Sequence, residues 1–178
     1  RQVVFITDGA VGNEQQLFRY IHENLGDRRL FTVGIGSAPN SYFMHKAAEF
    51  GRGTYTFIGD LNEVEERMDQ LFQKMAQPTL TNLEVEFEGT RGGSFEMLPG
   101  QLPDLYQGEP VVVSMKMSDT PTRAVLRGAL DGRPWKTSIL LKSGAHQAGI
   151  GVLFGRRKIE SWMNRRVTGA DEEQVSQA

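Results

Sequence analysis

The stretch Val3-Val4-Phe5-Ile6-Thr7-Asp8-Gly9 decides the fold. Its first four residues form a continuous apolar run, which is typical of a strand buried on both faces of a parallel sheet. Thr7-Asp8-Gly9 then ends the run with residues that favour a turn. A second run, Leu-Phe-Thr-Val-Gly-Ile-Gly at 30–36, follows after a helical segment. Two such strands joined by a helix predict a parallel arrangement.

Helical periodicity separates the apolar runs as far as residue 77. Gly26 predicts the end of a first helix, and Gly51 predicts the end of a second, before a third strand at 54–58. The next helix has an apolar stripe, and Asp60 and Glu63 are spaced as in a capping box at its start. The stripe consists of Leu61, Val64, Met68, Leu71, Phe72 and Met75. This α/β alternation predicts the C-terminal part of a doubly wound parallel sheet.

The pattern changes after Pro78, where the apolar period becomes two. The strands predicted from this period are 83–87, 111–117, 123–130 and 137–141, and Asp131-Gly132 is a hairpin signal. They predict a small antiparallel β-sandwich. The sequence therefore divides into an α/β part at 1–77, an all-β part at 78–150, and an amphipathic helix with a flexible tail at 151–178.

The composition excludes several classes of protein. Twenty Lys and Arg residues against 22 Asp and Glu residues leave a formal net charge of -2, so no basic field attracts nucleic acid. The chain contains no run of about 18 apolar residues, which a transmembrane helix requires. Cysteine is absent, which removes disulfides, thiolate metal sites and cysteine nucleophiles.

Asp8 is the sharpest candidate for a site residue. It follows the first strand, and open α/β sheets bind ligands at the carboxyl ends of their strands. Ser37 and Asp60 follow the second and third strands, so we expect them at the rim of the same edge. One or two carboxylates with hydroxyls and water hold Mg²⁺, which makes a metal site one interpretation. The other is that Asp8 only caps a helix or bends the turn.

A phosphate site competes for this edge. Gly34-Ile35-Gly36 begins like a dinucleotide fingerprint, but residue 39 is proline, and no Gly-Lys-Ser/Thr loop occurs. The three histidines lack metal-ligand spacing, and no Gly-x-Ser-x-Gly elbow is present. A non-enzymatic module is therefore favoured. The alternatives are an α/β enzyme domain that binds a nucleotide or phosphate, and a structural fragment in which the β-sandwich is the functional part.

The C-terminal helix interleaves basic and apolar residues. Arg156-Arg157-Lys158 point in different directions around a helix, so they do not form one patch. We expect the helix to dock Leu153, Ile159 and Trp162 on the sandwich. The alternative is a contact with an acidic partner or an anionic surface.

Taken together, these segments resemble a von Willebrand factor type A domain. The matching stretches are 3–9, 30–36, Gly51-Arg52-Gly53 and the long helix from Leu61 to Met75. More narrowly, the sequence is similar to bacterial relatives of inter-alpha-trypsin inhibitor heavy chains, including sortase-target surface proteins. That narrower similarity rests on 31–40, 102–108 and 156–159.

The resemblance implies an exported bacterial protein, located at the cell surface or outside the cell, that acts in adhesion. It also implies a metal-ion-dependent adhesion site, built from an Asp-x-Ser-x-Ser loop, a threonine and an aspartate at the position of Asp8. An acidic group of a protein partner completes the coordination of the divalent cation, with Mg²⁺ expected.

Only Asp8 matches this site, because no Asp-x-Ser-x-Ser occurs in the chain. We therefore expect the N-terminal half of the domain to precede Arg1, and we expect the chain alone to bind the ion poorly. Loss of the neighbouring strand would expose a strand edge, through which two copies are expected to pair.

Overall fold

The structure, a computed structural model, describes residues 1–77, 79–90, 94–142, 144 and 147–167. The chain divides into two compact units, one of Arg1–Gln77 with Arg166 and Val167, and one of Pro78–Arg165. The flexible tail expected near the C-terminus lies outside the described residues. The assignment of 1–77, 78–150 and 151–178 as separate domains stays a prediction.

The first unit is a three-stranded parallel sheet with helices. Its elements are β1 (Gln2–Thr7), α1 (Glu14–Asn24), β2 (Arg29–Ile35), α2 (Ser41–Phe50), β3 (Tyr55–Ile58), a 3₁₀ turn (Leu61–Glu63) and α3 (Val64–Ala76). The strand order is β1-β2-β3, and all pairs are parallel, as the alternation of strands and helices predicts. Thr7 lies opposite Gly34, and Ile35 lies opposite Ile58.

The core of this unit surrounds β2. On one face of the sheet, Leu30 packs with Phe18 of α1 and Phe43 of α2. The rings of the two phenylalanines stack with their centroids 5.2 Å apart. The buried Thr32 hydroxyl donates to the Met44 carbonyl at 2.8 Å, which satisfies a polar group that burial would otherwise penalise. Because side chains alternate along a strand, the buried Phe31 and Val33 of β2 lie on the opposite face.

The expectation that β1 is buried on both faces is wrong. Within the described residues β1 pairs with β2 alone, so it lies at the edge of the sheet. Val3, Phe5 and Ile6 are 40%, 38% and 50% exposed, although Phe5 still makes an edge contact with Phe43 at 6.2 Å. An apolar run shows that the side chains are hydrophobic, but it does not show how far neighbouring elements cover them. β1 and β2 therefore look alike in sequence although their burial differs.

The apolar stripe of α3 is narrower than the sequence indicates. Leu71 is buried, whereas Leu61 and Phe72 are 80% and 52% exposed. Leu61 lies in the 3₁₀ turn before the helix, so the helical periodicity does not apply to it. The positions that remain covered, Val64, Met68, Leu71 and Met75, lie along one side of the helix.

The capping box predicted at the start of this helix is wrong. The Asp60 carboxylate accepts from Asn62 N at 2.8 Å, two residues later, because the helical segment begins with a tight 3₁₀ turn. The Glu63 carboxylate instead accepts from Arg67 Nε at 3.4 Å, one turn along the helix.

The second unit contains two antiparallel sheets and a helix. Its elements are β4 (Leu80–Glu88), β5 (Phe95–Leu98), β6 (Ser114–Met117), β7 (Arg123–Leu130), β8 (Arg133–Leu140) and all but the last two residues of α4 (Ile150–Val167). The sheets have the orders β4-β7-β8 and β5-β6. The strand predicted at 111–117 begins only at Ser114, and the sequence did not predict β5. The stacking of the sheets as a sandwich stays a prediction.

The predicted hairpin at Asp131-Gly132 is confirmed. Leu130 pairs with Arg133, so the turn has two residues, and their φ angles are 52° and 74°. Two positive φ angles match the right-handed twist of the flanking strands, and glycine adopts the second without a side-chain penalty.

The expected docking of α4 through Leu153, Ile159 and Trp162 is wrong. These side chains are 46%, 58% and 53% exposed. Instead, Arg157 Nη1 donates to the Val112 carbonyl at 2.9 Å, and Lys158 Nζ lies 2.9 Å from Glu96 Oε1. The helix therefore contacts its own unit through the polar ends of these two basic residues.

Candidate functional site

The carboxyl edge of the β1-β2-β3 sheet gathers the three site residues predicted from the sequence. The strands end at Thr7, Ile35 and Ile58, and their register places these ends side by side. Gly36 N donates to the Ile58 carbonyl at 2.8 Å, which extends the pairing of β2 and β3 by one residue. Asp8, Ser37 and Asp60 follow these ends and are all exposed.

Asp8 stands in the turn after β1, but its side chain does not hold that turn. The Thr7 hydroxyl accepts from Gly9 N at 3.3 Å. Within the described residues, the Asp8 carboxylate accepts no hydrogen bond. The residue is exposed, so its carboxylate is accessible to a ligand.

Asp60 is committed to its own loop. Its Oδ1 accepts from Asn62 N at 2.8 Å and from Asn62 Nδ2 at 2.9 Å. This local capping is the ordinary role of an aspartate at a helix start. Ser37 is exposed in the loop between β2 and α2.

The residues present do not fit a complete divalent-cation site. β2 lies between β1 and β3, so the loops of Asp8 and Asp60 are separated by two strand spacings, roughly 10 Å. Mg²⁺ binds its oxygen ligands at about 2.1 Å, which requires them to converge much more closely. In the part of the chain that the structure describes, no three His, Asp or Glu residues form a group able to hold a metal ion.

Asn40 is a residue at this edge that the sequence analysis missed. It caps α2, since its Oδ1 accepts from Phe43 N at 3.0 Å, and its Nδ2 donates to Glu14 Oε1 at the start of α1. The Glu14 carboxylate is thereby tied to α2. Asparagine directly before a helix is a common N-cap, and that signal was present in the sequence.

Gly34 has a packing role. A Cβ at this position would lie 2.9 Å from Pro39 Cβ and 2.9 Å from the Tyr55 hydroxyl oxygen. The loop after β2 thus folds back onto the strand at the point where glycine leaves room. This packing explains why glycine occupies the first position of the apparent dinucleotide fingerprint, with no need for a phosphate-binding role.

Comparison with known proteins identifies relatives of one kind. No protein-family model matches the chain. Two Dictyostelium discoideum proteins are 29% identical over 132 residues and 30% identical over 119 residues, covering 74% and 67% of this chain. Both are von Willebrand factor A domain-containing proteins. The inter-alpha-trypsin inhibitor heavy chain H3 of Mus musculus is 24% identical over 122 residues and 66% of this chain.

The relatives are thus von Willebrand factor A domain proteins. The chain spans 14% of the length of each of these three relatives. The predicted resemblance to A domains and to inter-alpha-trypsin inhibitor heavy chains is confirmed by these relatives, whereas the similarity to bacterial sortase-target proteins and the missing N-terminal half stay predictions. Relatives of this kind suggest a protein-interaction or adhesion module, and they do not favour an enzyme.

Two solved structures are similar at a lower level. The ArnB paralog VWA2 from Sulfolobus acidocaldarius has a TM-score of 0.45 and 16% identity, with 98% of this chain and 52% of that chain covered. A von Willebrand factor type A protein from Catenulispora acidiphila has a TM-score of 0.47 and 14% identity, with 87% and 46% covered. These values are too low to transfer a site. Separately, no described helix is long and apolar enough to cross a membrane.

Proposed function

We propose that this chain belongs to a non-enzymatic adhesion module of an exported bacterial surface protein. Its ligand-contacting surface is the carboxyl edge of the β1-β2-β3 sheet. The observation that carries the proposal is the Asp8 carboxylate, which is exposed at that edge and uncommitted to the local hydrogen bonds of its turn. The A-domain relatives support the interaction class.

We further propose that Asp8 supplies one ligand of a divalent cation, with Mg²⁺ expected, in the intact protein. Ser37 and Asp60 lie at the rim of that site, and a protein partner contributes an acidic group. Because the described residues do not complete the site, its other ligands would come from outside the described residues.

The nucleotide-binding enzyme alternative has less support. Gly34 is explained by its packing against Pro39 and Tyr55, and no phosphate loop occurs in the sequence. A panel of nucleotides in a thermal-shift assay with Mg²⁺ separates the two functions. Stabilisation of the chain by a nucleotide would favour the enzyme.

The test of the proposed function uses the full-length protein displayed on cells, with adhesion to cells that lack it as the readout. We expect Asp8→Asn to reduce Mg²⁺-dependent adhesion by at least about tenfold, a change of about 1.4 kcal/mol. Chelation of the cation by EDTA should reduce the adhesion of the unmodified protein to the same level.

Asp60→Asn is the matched control, since asparagine keeps a side-chain oxygen that accepts from Asn62 N. It makes the same change of charge on the same edge, and we expect it to retain most of the adhesion. Unchanged adhesion with Asp8→Asn would contradict the proposal and would favour the second unit as the functional part.

A further inference from the structure

Helix α4 exposes a row of apolar side chains, called here the outer row, that consists of Val152, Ile159 and Met163. These residues are 70%, 58% and 54% exposed. Because they are seven and eleven positions apart, they lie along one side of the helix. Trp162, three residues after Ile159, flanks the row and is 53% exposed.

The opposite side of α4 holds the helix on the second unit by polar contacts. Arg157 donates to the Val112 carbonyl at 2.9 Å, and the Lys158 ammonium lies 2.9 Å from the Glu96 carboxylate. The Lys158 nitrogen is also 5.6 Å from the centre of the Trp162 ring. The outer row takes no part in these contacts. A contiguous exposed apolar surface is a candidate interaction site.

We propose that the outer row docks an acidic amphipathic helix of a protein partner. Apolar residues at this spacing are the anchors by which one helix packs against another or into a groove. Tryptophan, methionine and arginine are also enriched where proteins bind each other. The surface belongs to the second unit, so this inference is independent of the proposed role of Asp8.

The charges near the outer row of α4 favour an acidic partner helix. Of the five basic residues in Ile150–Val167, Arg157 and Lys158 contact the second unit, whereas Arg156 and Arg166 are exposed on the side of the outer row. Arg156 lies between Val152 and Ile159 along the same side of the helix and is exposed, so a carboxylate beside the partner's apolar residues would meet it.

The same charges disfavour two other occupants. A second copy of α4 would bring like charges together. A helix lying in a lipid surface separates its cations from its apolar face, whereas Arg156 interrupts the outer row.

The probe for this proposal is a synthetic peptide of about 21 residues, three heptads long, with leucine in its apolar stripe and glutamate beside it. The chain carries Trp135→Phe, which leaves Trp162 as its only tryptophan. We expect saturable binding with a blue shift of the Trp162 fluorescence, because the ring leaves water. A peptide with lysine in place of every glutamate should bind at least about tenfold more weakly.

Variants locate the binding surface. Ile159→Glu should weaken binding of the acidic peptide by at least about tenfold. Ile139→Glu is the matched control, because Ile139 lies on β8 of the same unit and is 52% exposed, close to the 58% of Ile159. We expect it to bind like the unmodified chain, and circular dichroism checks that both variants fold. Asp8→Asn should leave peptide binding unchanged, which separates this proposal from the proposed function.

Four results would overturn the proposal. The first is no binding of the acidic peptide, and the second is equal binding of the acidic and basic peptides. The third is unaltered binding by Ile159→Glu. The fourth is a preference for another occupant, seen as Ile159-dependent binding to phosphatidylglycerol vesicles without peptide binding, or as self-association that Ile159→Glu abolishes.

Discussion

At the scale of single residues, hydrogen bonding distinguishes side chains that occupy equivalent positions in the sequence. Asp8, Ser37 and Asp60 all follow strands of one sheet, so the sequence places them at one edge. The structure adds that Asp60 accepts two hydrogen bonds from Asn62, whereas Asp8 remains uncommitted. The order of strands and helices in the sequence predicts that these residues lie at the carboxyl edge of the sheet. Local hydrogen bonds depend on backbone angles, which residue type does not determine.

Gly53 gives a sharp prediction at the same scale. A Cβ there would lie 2.1 Å from the Leu30 carbonyl oxygen and 2.7 Å from its carbon, and both atoms belong to the central strand β2. Since backbone atoms of a buried strand move little, we expect Gly53→Ala to lower the free energy of unfolding by about 2–3 kcal/mol. Urea denaturation followed by circular dichroism measures this change.

The control for this prediction is Gly12→Ala, because a Cβ at Gly12 would meet nothing within 4 Å. We expect it to change stability by no more than about 0.5 kcal/mol. Equal stability of the two variants would show that β2 and the turn before β3 are not packed as described.

At the scale of elements, a turn with its own backbone preference can be predicted from the sequence, whereas the packing neighbours of a strand or helix cannot. The two-residue hairpin was predictable because Asp131-Gly132 carries its own backbone preference. β1 and β2 share an apolar run, yet one lies at an edge and the other in the centre. The short strand β5 lacks a clear alternating pattern. The placement of α4 escaped prediction because its apolar residues indicate burial, whereas basic residues make the contacts.

The edge of β1 leads to a prediction about association. Arg29 N donates to the Arg1 carbonyl, so alternate peptide groups of β1 face β2, and those of Gln2, Val4 and Ile6 face away from it. A second copy running antiparallel would place Val4 opposite its own equivalent. We therefore expect the chain to dimerise through this edge, measured by sedimentation velocity at about 100 µM.

Ile6→Lys should weaken this dimer at least about tenfold, since a charge on an edge strand opposes pairing. Tyr20→Lys on α1 is the control, because Tyr20 is 64% exposed on the same unit. A clean monomer of the unmodified chain at that concentration would contradict the prediction.

At the scale of the whole molecule, the two units carry separate surfaces. The first unit presents the carboxyl edge with Asp8, and the second presents the outer row of α4. The formal net charge of -2 gives no global attraction to nucleic acid, so both surfaces depend on local chemistry. The relatives are von Willebrand factor A domain proteins, and the chain spans 14% of the length of the two Dictyostelium proteins and of the mouse heavy chain. The activity of the whole protein is therefore a proposal.

The measurement that tests the central claim is a Mn²⁺ titration of the ¹⁵N-labelled chain, read by paramagnetic broadening of its amide signals. Mn²⁺ takes the oxygen ligands that suit Mg²⁺ and reports weak binding. If the carboxyl edge receives the cation, the signal of Gly9 broadens first, at roughly millimolar Mn²⁺ because the site is incomplete, and Asp8→Asn abolishes the effect while Asp60→Asn does not. Broadening centred on the acidic first turn of α3, at Glu65 and Glu66, and unchanged by Asp8→Asn, would contradict the claim.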